Sequence, residues 1–259
     1  MKKEEHHLSD PIQRLPKGIA LSWGLEKEPQ RGPKRELTLQ QIVNTAIQIA
    51  DKEGLPAVSM NRVAKSLGYT AMSLYRYISS KDDLLLLMQD AVCNIPIPAE
   101  NSAAHWREQM REYTQTCLRT IWEHPWFVDL PIWGEPMTPN HMQFVEWPLR
   151  IMRDFPLTDR EKMSMIILIS SYVRAWGSIL RDSSRAEQET GVPESQRRAD
   201  LGSALLALAS AERYPHLYPL IESGTYTEEN ETESKSMFGH DFDFGLERIL
   251  DGIEHYIQK

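Results

Sequence analysis

The sequence predicts an all-α protein in which a small N-terminal helix-turn-helix domain precedes a larger helical domain. Three observations carry that expectation. Apolar residues recur at helical spacing along most of the 259-residue chain, and strand-like alternation of useful length is absent. Serine or threonine heads several of these runs, three residues before Gln, Asp or Glu, as in a capping box. Only Gly68, Tyr69 and Thr70 separate two short periodic patterns, and so tight a glycine-containing turn is the mark of a helix-turn-helix.

Residues 1–30 carry no periodic signal, and His6, His7 and Trp23 define no site, so a flexible extension is expected there. In Gln30–Arg35, Gly32 and Pro33 deny regular structure, while Arg31, Lys34 and Arg35 suit an arm that tracks a minor groove; the alternative is a solubilising linker. Thr38 with Gln41 opens a helix whose Leu39, Ile42, Val43, Ala46, Ile47 and Ala50 repeat until Gly54 stops it. Ser59 caps a second helix with apolar Met60, Val63, Ala64 and Leu67, ended by Gly68, and Thr70 caps a third carrying Leu74, Tyr75 and Ile78. Ser80 with Asp83 opens a fourth, Lys81 to about Asn94, whose LLLLM run is apolar on more than one side and must be buried between two bodies.

Charge separates these elements from the rest. Formal net charge is −8, yet residues 1–30 hold 5 basic and 5 acidic side chains, residues 31–81 hold 8 and 3, and residues 82–259 hold 16 and 29. A basic module on an acidic bulk is the pattern of a protein of which one part approaches phosphate. Organisation into three parts follows: an extension 1–30, a helix-turn-helix domain 31–81 and a helical domain 82–259. Cys93 and Cys117 are too few and too far apart for a disulfide framework and read as buried small hydrophobes of a reduced, cytoplasmic protein. The longest apolar run, Met163–Ser170, is far short of the roughly 20 residues of a membrane span, so no membrane partner is expected.

Beyond residue 95 the periodicity predicts helices over 103–123, 140–154, 159–182, 201–212 and 242–259, with Thr158 and Glu161 forming another capping box. Residues 183–198 and 223–236 are polar and expected to be loops. Enzyme motifs are absent: no G-x-S-x-G, P-loop, G-x-G-x-x-G or H-E-x-x-H occurs, so the chain is expected not to be an enzyme.

The stretch RGPKRELTLQQIVNTAIQIADKEGLPAVSMNRVAKSLGYTAMSLYRYISSKDDLLLLMQDAV, residues 31–92, resembles the DNA-binding domain of the TetR family of bacterial repressors. FDFGLERILDGIEHYI, residues 242–257, resembles the last helix of the ligand-binding domain of the tetracycline repressor. The resemblance implies that Thr70, Ala71, Met72 and Ser73 face base edges, that Asn61 and Arg62 reach the groove or backbone, and that Tyr75, Tyr77 and Lys81 contact phosphate. The chemistry suits these roles: hydroxyl and ammonium donors position a domain, while Asn61 can read adenine and Ala71 and Met72 can touch a thymine methyl. Ser59 joins them at the helix cap, and core packing is the other reading of Tyr75.

Operators read by helix-turn-helix proteins usually have two half-sites, which requires a two-fold dimer. The resemblance implies a homodimer through helices 159–182 and 242–257, where Met163, Ile166, Ile167, Ser170, Val173, Gly177 and Leu180, and Phe242, Leu246, Ile249, Ile253 and Tyr256, form stripes. Aromatic side chains crowd the passage between the reading head and these helices, as an apolar small-molecule cavity requires. Trp106, Tyr113, Trp126, Trp133, Phe144, Trp147, Tyr172 and Trp176 are candidate lining residues, and His105, His141 and Arg174 are candidate polar contacts. No cofactor and no metal are expected, because the magnesium-binding residues of the tetracycline repressor are not matched. The function expected is therefore a cytoplasmic, ligand-responsive transcriptional regulator, a repressor that binds double-stranded operator DNA as a dimer and is released by an apolar or aromatic effector. The alternative is a DNA-anchored protein-interaction module without a small-molecule ligand.

Overall fold

The computed structural model describes residues 15–26, 37–100, 104–131, 137–227 and 238–258; Arg31, Lys34, Arg35 and Trp133 lie outside the described residues. All regular structure among these is helical. The helices are α1 (Lys17–Ser22), α2 (Leu39–Glu53), α3 (Met60–Leu67), α4 (Ala71–Tyr75), α5 (Lys81–Val92), α6 (Trp106–Glu123), α7 (Pro139–Ile151), α8 (Asp159–Thr190), α9 (Glu194–Leu208), α10 (Tyr218–Glu222) and α11 (His240–Ile257). Single 3-10 turns at Leu55–Ala57 and Pro125–Asp129 punctuate the first half. The chain divides into compact units Met1–Ile166 and Ile167–Lys259, so the change of charge at residue 81 does not coincide with a packing boundary.

The first unit contains the reading head. Thr38 and Gln41 form the reciprocal capping box expected of them, the Ser59 hydroxyl accepts from Arg62 N–H, and the Ser80 hydroxyl accepts from Asp83 N–H. Gly68 closes α3 at φ 78°, a left-handed conformation that glycine adopts without Cβ strain. Thr70 occupies the N-cap of α4 but makes no capping bond; its hydroxyl is 3.1 Å from that of Ser73 instead. Ile42, Ala46, Val58, Val63, Leu74, Ile78, Leu84 and Met88 are fully buried and join α2 to α5 in one core. The apolar run of α5 thus faces the head on one side, and Asp90 on the same helix reaches α7, where it accepts from Asn140 N–H at 2.8 Å and His141 N–H at 3.3 Å. This carboxylate satisfies N–H groups that the start of a helix leaves unpaired.

Two expectations are corrected. Residues 1–30 are not wholly a flexible extension, because α1 lies within them and buries Gly18, Ile19 and Ala20. Residues 183–198 are not a loop: α8 runs on to Thr190 and α9 begins at Glu194. Arg185–Glu189 at 2.7 Å and Arg198–Glu194 at 2.5 Å, each at i,i+4 spacing, support helix where apolar periodicity is missing.

In the second unit Phe242 is fully buried, stacked on Tyr172 with ring centroids 5.4 Å apart and flanked by Trp176 at 5.8 Å. The Tyr172 hydroxyl donates to the Phe242 carbonyl at 2.9 Å, directly over Gly245, where any side chain would collide with it. Phe242, Leu246 and Ile253 therefore pack inside their own chain. The apolar residues these helices leave in solvent include only Ile167 and Tyr256 of the expected stripes, together with Leu168 and Ile179 on α8 and Phe244 on α11.

Candidate functional site

The head presents to solvent most of the residues expected to contact DNA. Met72 is 74% exposed, Thr70, Asn61, Arg62 and Lys81 are exposed, and Ala71 and Ser73 are half-buried beside them. Leu74 at 0% exposure turns inward from the same short helix and holds it on the core. Tyr75 is 45% exposed, so its ring is not part of the buried core of the head. Tyr77 is half-buried against the head's core. Arg62 is held at 2.7 Å by Glu53 across the α2–α3 angle, so part of its charge is engaged within the head. Ser59 is exposed, but its hydroxyl is committed to the cap.

Arg76 was missed in the sequence. It is the exposed C-cap of α4 and sits between Tyr75 and Tyr77, so the same short stretch carries a guanidinium besides two phenols. The signal was visible in the tripeptide Tyr75-Arg76-Tyr77, since a cation between two hydroxyl donors is the composition of a phosphate-contacting edge.

The candidate effector residues separate into groups. Within the first unit, buried Tyr113 on α6 meets buried Trp147 on α7 edge-on at 5.5 Å, and half-buried Trp106 meets Phe155 edge-on at 5.3 Å. His141 and Phe144 are half-buried on α7. Burial lowers the His141 pKa, opposed by the Asp90 carboxylate, which favours the neutral imidazole that both donates and accepts hydrogen bonds. His105 is exposed at the N-cap of α6, where its Nδ1 accepts from Arg107 N–H at 3.3 Å. Within the second unit, Tyr172 and Trp176 lie about Phe242, and the Trp176 indole N–H is buried without a hydrogen-bond partner; Arg174 is half-buried on the same helix.

Trp126 is a correction. It is 2% exposed, and its indole N–H donates to Asp51 Oδ1 of α2 at 2.6 Å, so it belongs to the core of the head. Its donor is spent on that carboxylate and cannot serve an effector.

Two family models match the chain: "Bacterial regulatory proteins, tetR family" over residues 42–88, and "Tetracyclin repressor-like, C-terminal domain" over residues 97–257. The HTH-type transcriptional repressor DrrR1 of Streptomyces coeruleorubidus is 38% identical over 244 residues, covering 91% of this chain and 84% of the relative. The tetracycline repressor protein class E of Escherichia coli is 24% identical, covering 66% of this chain and 78% of its own. Among solved structures, the Streptomyces coelicolor TetR family protein ActR in complex with actinorhodin superposes with a TM-score of 0.71 at 29% identity, covering 87% of this chain and 100% of that one.

Proposed function

Since the chain belongs to the TetR family of ligand-responsive transcriptional regulators, whose members are not enzymes, we propose that it is a dimeric repressor released from its operator by an apolar or aromatic small molecule. The observation that carries the DNA-binding part is that Thr70, Met72 and Tyr75 are exposed, with half-buried Ser73 between them, on a helix anchored by fully buried Leu74. Residues 31–81 form the reading module in this proposal, and residues 82–259 supply effector binding and dimerisation. Thr70, Ala71, Met72, Ser73 and Asn61 read bases. Tyr75, Arg76, Tyr77 and Lys81 position the head on phosphate, with Arg62, Arg31, Lys34 and Arg35 adding cationic contacts.

An exposed apolar face on α8 and α11 supports the dimer, because Ile167, Leu168, Ile179, Phe244 and Tyr256 would be covered by a second copy. One stretch of α8 is long and apolar enough to cross a membrane. In a cytoplasmic regulator that apolarity is instead shared between the fold and the partner copy. Within the second unit, the Tyr172–Phe242 ring pair and the unpartnered Trp176 indole N–H support an aromatic effector with a hydrogen-bond acceptor. The ActR complex with actinorhodin supports a small molecule in that role.

In mechanism, the unliganded dimer holds two α4 helices at the separation of two half-sites, and the effector stabilises a conformation with another separation. A ligand shifts this equilibrium only by its differential affinity, so useful induction needs about 100-fold tighter binding to the non-DNA form, about 2.7 kcal/mol. Quenching of tryptophan fluorescence by a panel of apolar aromatic compounds, followed by operator-binding assays with each hit, tests the proposal. Hits that release the operator support it; a chain that binds the operator and responds only to a protein partner overturns the effector reading.

A further inference from the structure

We propose that residues 15–26 form an intramolecular strap that holds α5 against the start of α7 and thereby helps set the separation of two reading heads. The strap fastens at two ends on different elements. At one end the Gly18 N–H donates to Asp83 Oδ1 on α5 at 2.7 Å, and the backbones approach so closely that a Cβ on Gly18 would lie 2.9 Å from Asp83 Cα. Only glycine fits there. The other oxygen of Asp83 accepts the Ser80 hydroxyl at 2.8 Å, and Ser80 caps α5 immediately beyond the recognition helix. One carboxylate therefore clasps both the strap and the junction between head and α5.

At the other end the Trp23 indole N–H donates to the Met137 carbonyl at 2.7 Å, two residues before α7 begins at Pro139. Between these anchors Ile19 and Ala20 are buried and Leu21 packs on the core of the head. The start of α7 is thus joined to α5 twice, directly through Asp90 and across the strap through Trp23 and Gly18. Rotation of α5 relative to α7 would carry the head with it, since α2 to α5 share one core. The strap opposes that rotation by burying apolar surface and by two hydrogen bonds at its ends.

This inference rests on the proposed dimer that reads two half-sites. The test uses the full-length protein and fluorescence anisotropy on two DNA duplexes: the operator selected from a random pool, and the same operator with one base pair inserted between its half-sites. The readout is the ratio of the two affinities. Trp23→Phe removes one indole donor and is expected to lower the ratio by about threefold, within the usual effect of one hydrogen bond. Gly18→Val forces the strap off Asp83 and is expected to lower it by roughly tenfold, within the usual range of coupling between sites. A merely destabilising substitution would reduce the active fraction and weaken both duplexes equally, leaving the ratio unchanged. Ratios within about twofold of wild type in both variants would overturn the strap. A wild-type protein indifferent to the inserted base pair would overturn the two-half-site reading, and the strap with it.

Discussion

Asp51 on α2 accepts the indole N–H of Trp126 at 2.6 Å, and the same carboxylate oxygen lies 2.8 Å from His124 Nδ1. Seventy-five residues separate Asp51 from Trp126 in sequence, so the first helix of the reading head is pinned to the turn that follows α6. That pin and the Asp90 cap on α7 make the head and α6–α7 parts of one packed unit.

Trp126→Phe keeps an aromatic ring and removes the donor. It is expected to cost roughly 1–3 kcal/mol of stability, the range for a partly buried partner left without its hydrogen bond, read as a lower urea midpoint. Effector quenching should survive in this variant and weaken in Trp147→Phe. Unchanged stability would show that the Asp51 hydrogen bond contributes nothing.

Lys81→Ala, Arg76→Ala and Tyr75→Phe are expected to weaken operator and random DNA alike. For the two cations the slope of log affinity against log salt should flatten by about 0.9 for each phosphate no longer neutralised. A changed base preference would contradict the phosphate role of these residues.

Ser73→Ala and Asn61→Ala are expected to act in the opposite way, relaxing selection at particular base pairs. Discrimination should fall by about 1–3 kcal/mol per reader, measured by repeating operator selection with each variant. Identical selected sequences would remove both from the reading set.

Leu168→Glu and Ile179→Glu place a carboxylate on the exposed apolar face of α8. Halved mass in sedimentation, with operator binding abolished and the helical content unchanged, is the expected outcome. A full-sized dimer in both variants would locate the interface elsewhere.

Tyr172 offers a test of the second unit's packing. Burial, then the Asp241 and Asp243 carboxylates, push its pKa up to about 12 from an ordinary value near 10. Because the folded state disfavours the phenolate, this side chain's stabilising contribution is complete below pH 10 and lost as pH rises through 12. Tyr172→Phe should therefore show a shallower loss of stability over that window than wild type, measured by urea denaturation at stepped pH. Parallel curves would contradict the half-buried, neutral phenol.

Local signals were legible in the sequence and long-range ones were not. Thr38 with Gln41, Ser59, Ser80 with Asp83, and Gly68 each act within one turn of helix, so their residue types announced the caps that form. Helix α1 has only six residues and is held by Gly18 against Asp83, a pairing that no spacing within residues 1–30 encodes. Trp126 was indistinguishable from its aromatic neighbours until Asp51 met it. On α11 the 3.6-residue period correctly marked Phe242, Leu246 and Ile253 as one face, but periodicity does not say which body covers a face. Here the chain covers it itself and leaves Phe244 and Tyr256 outside. Polar residues 183–198 read as loop because their helices rest on charge pairs at i,i+4 instead of an apolar stripe.

Selection of bound DNA from a random pool, followed by footprinting and counting of chains per duplex, tests the central claim most directly. Two related half-sites about one helical turn apart, protected by two chains and released together on adding an effector hit, are the result expected. A pool that enriches no sequence, or a single half-site protected by one chain, would contradict it.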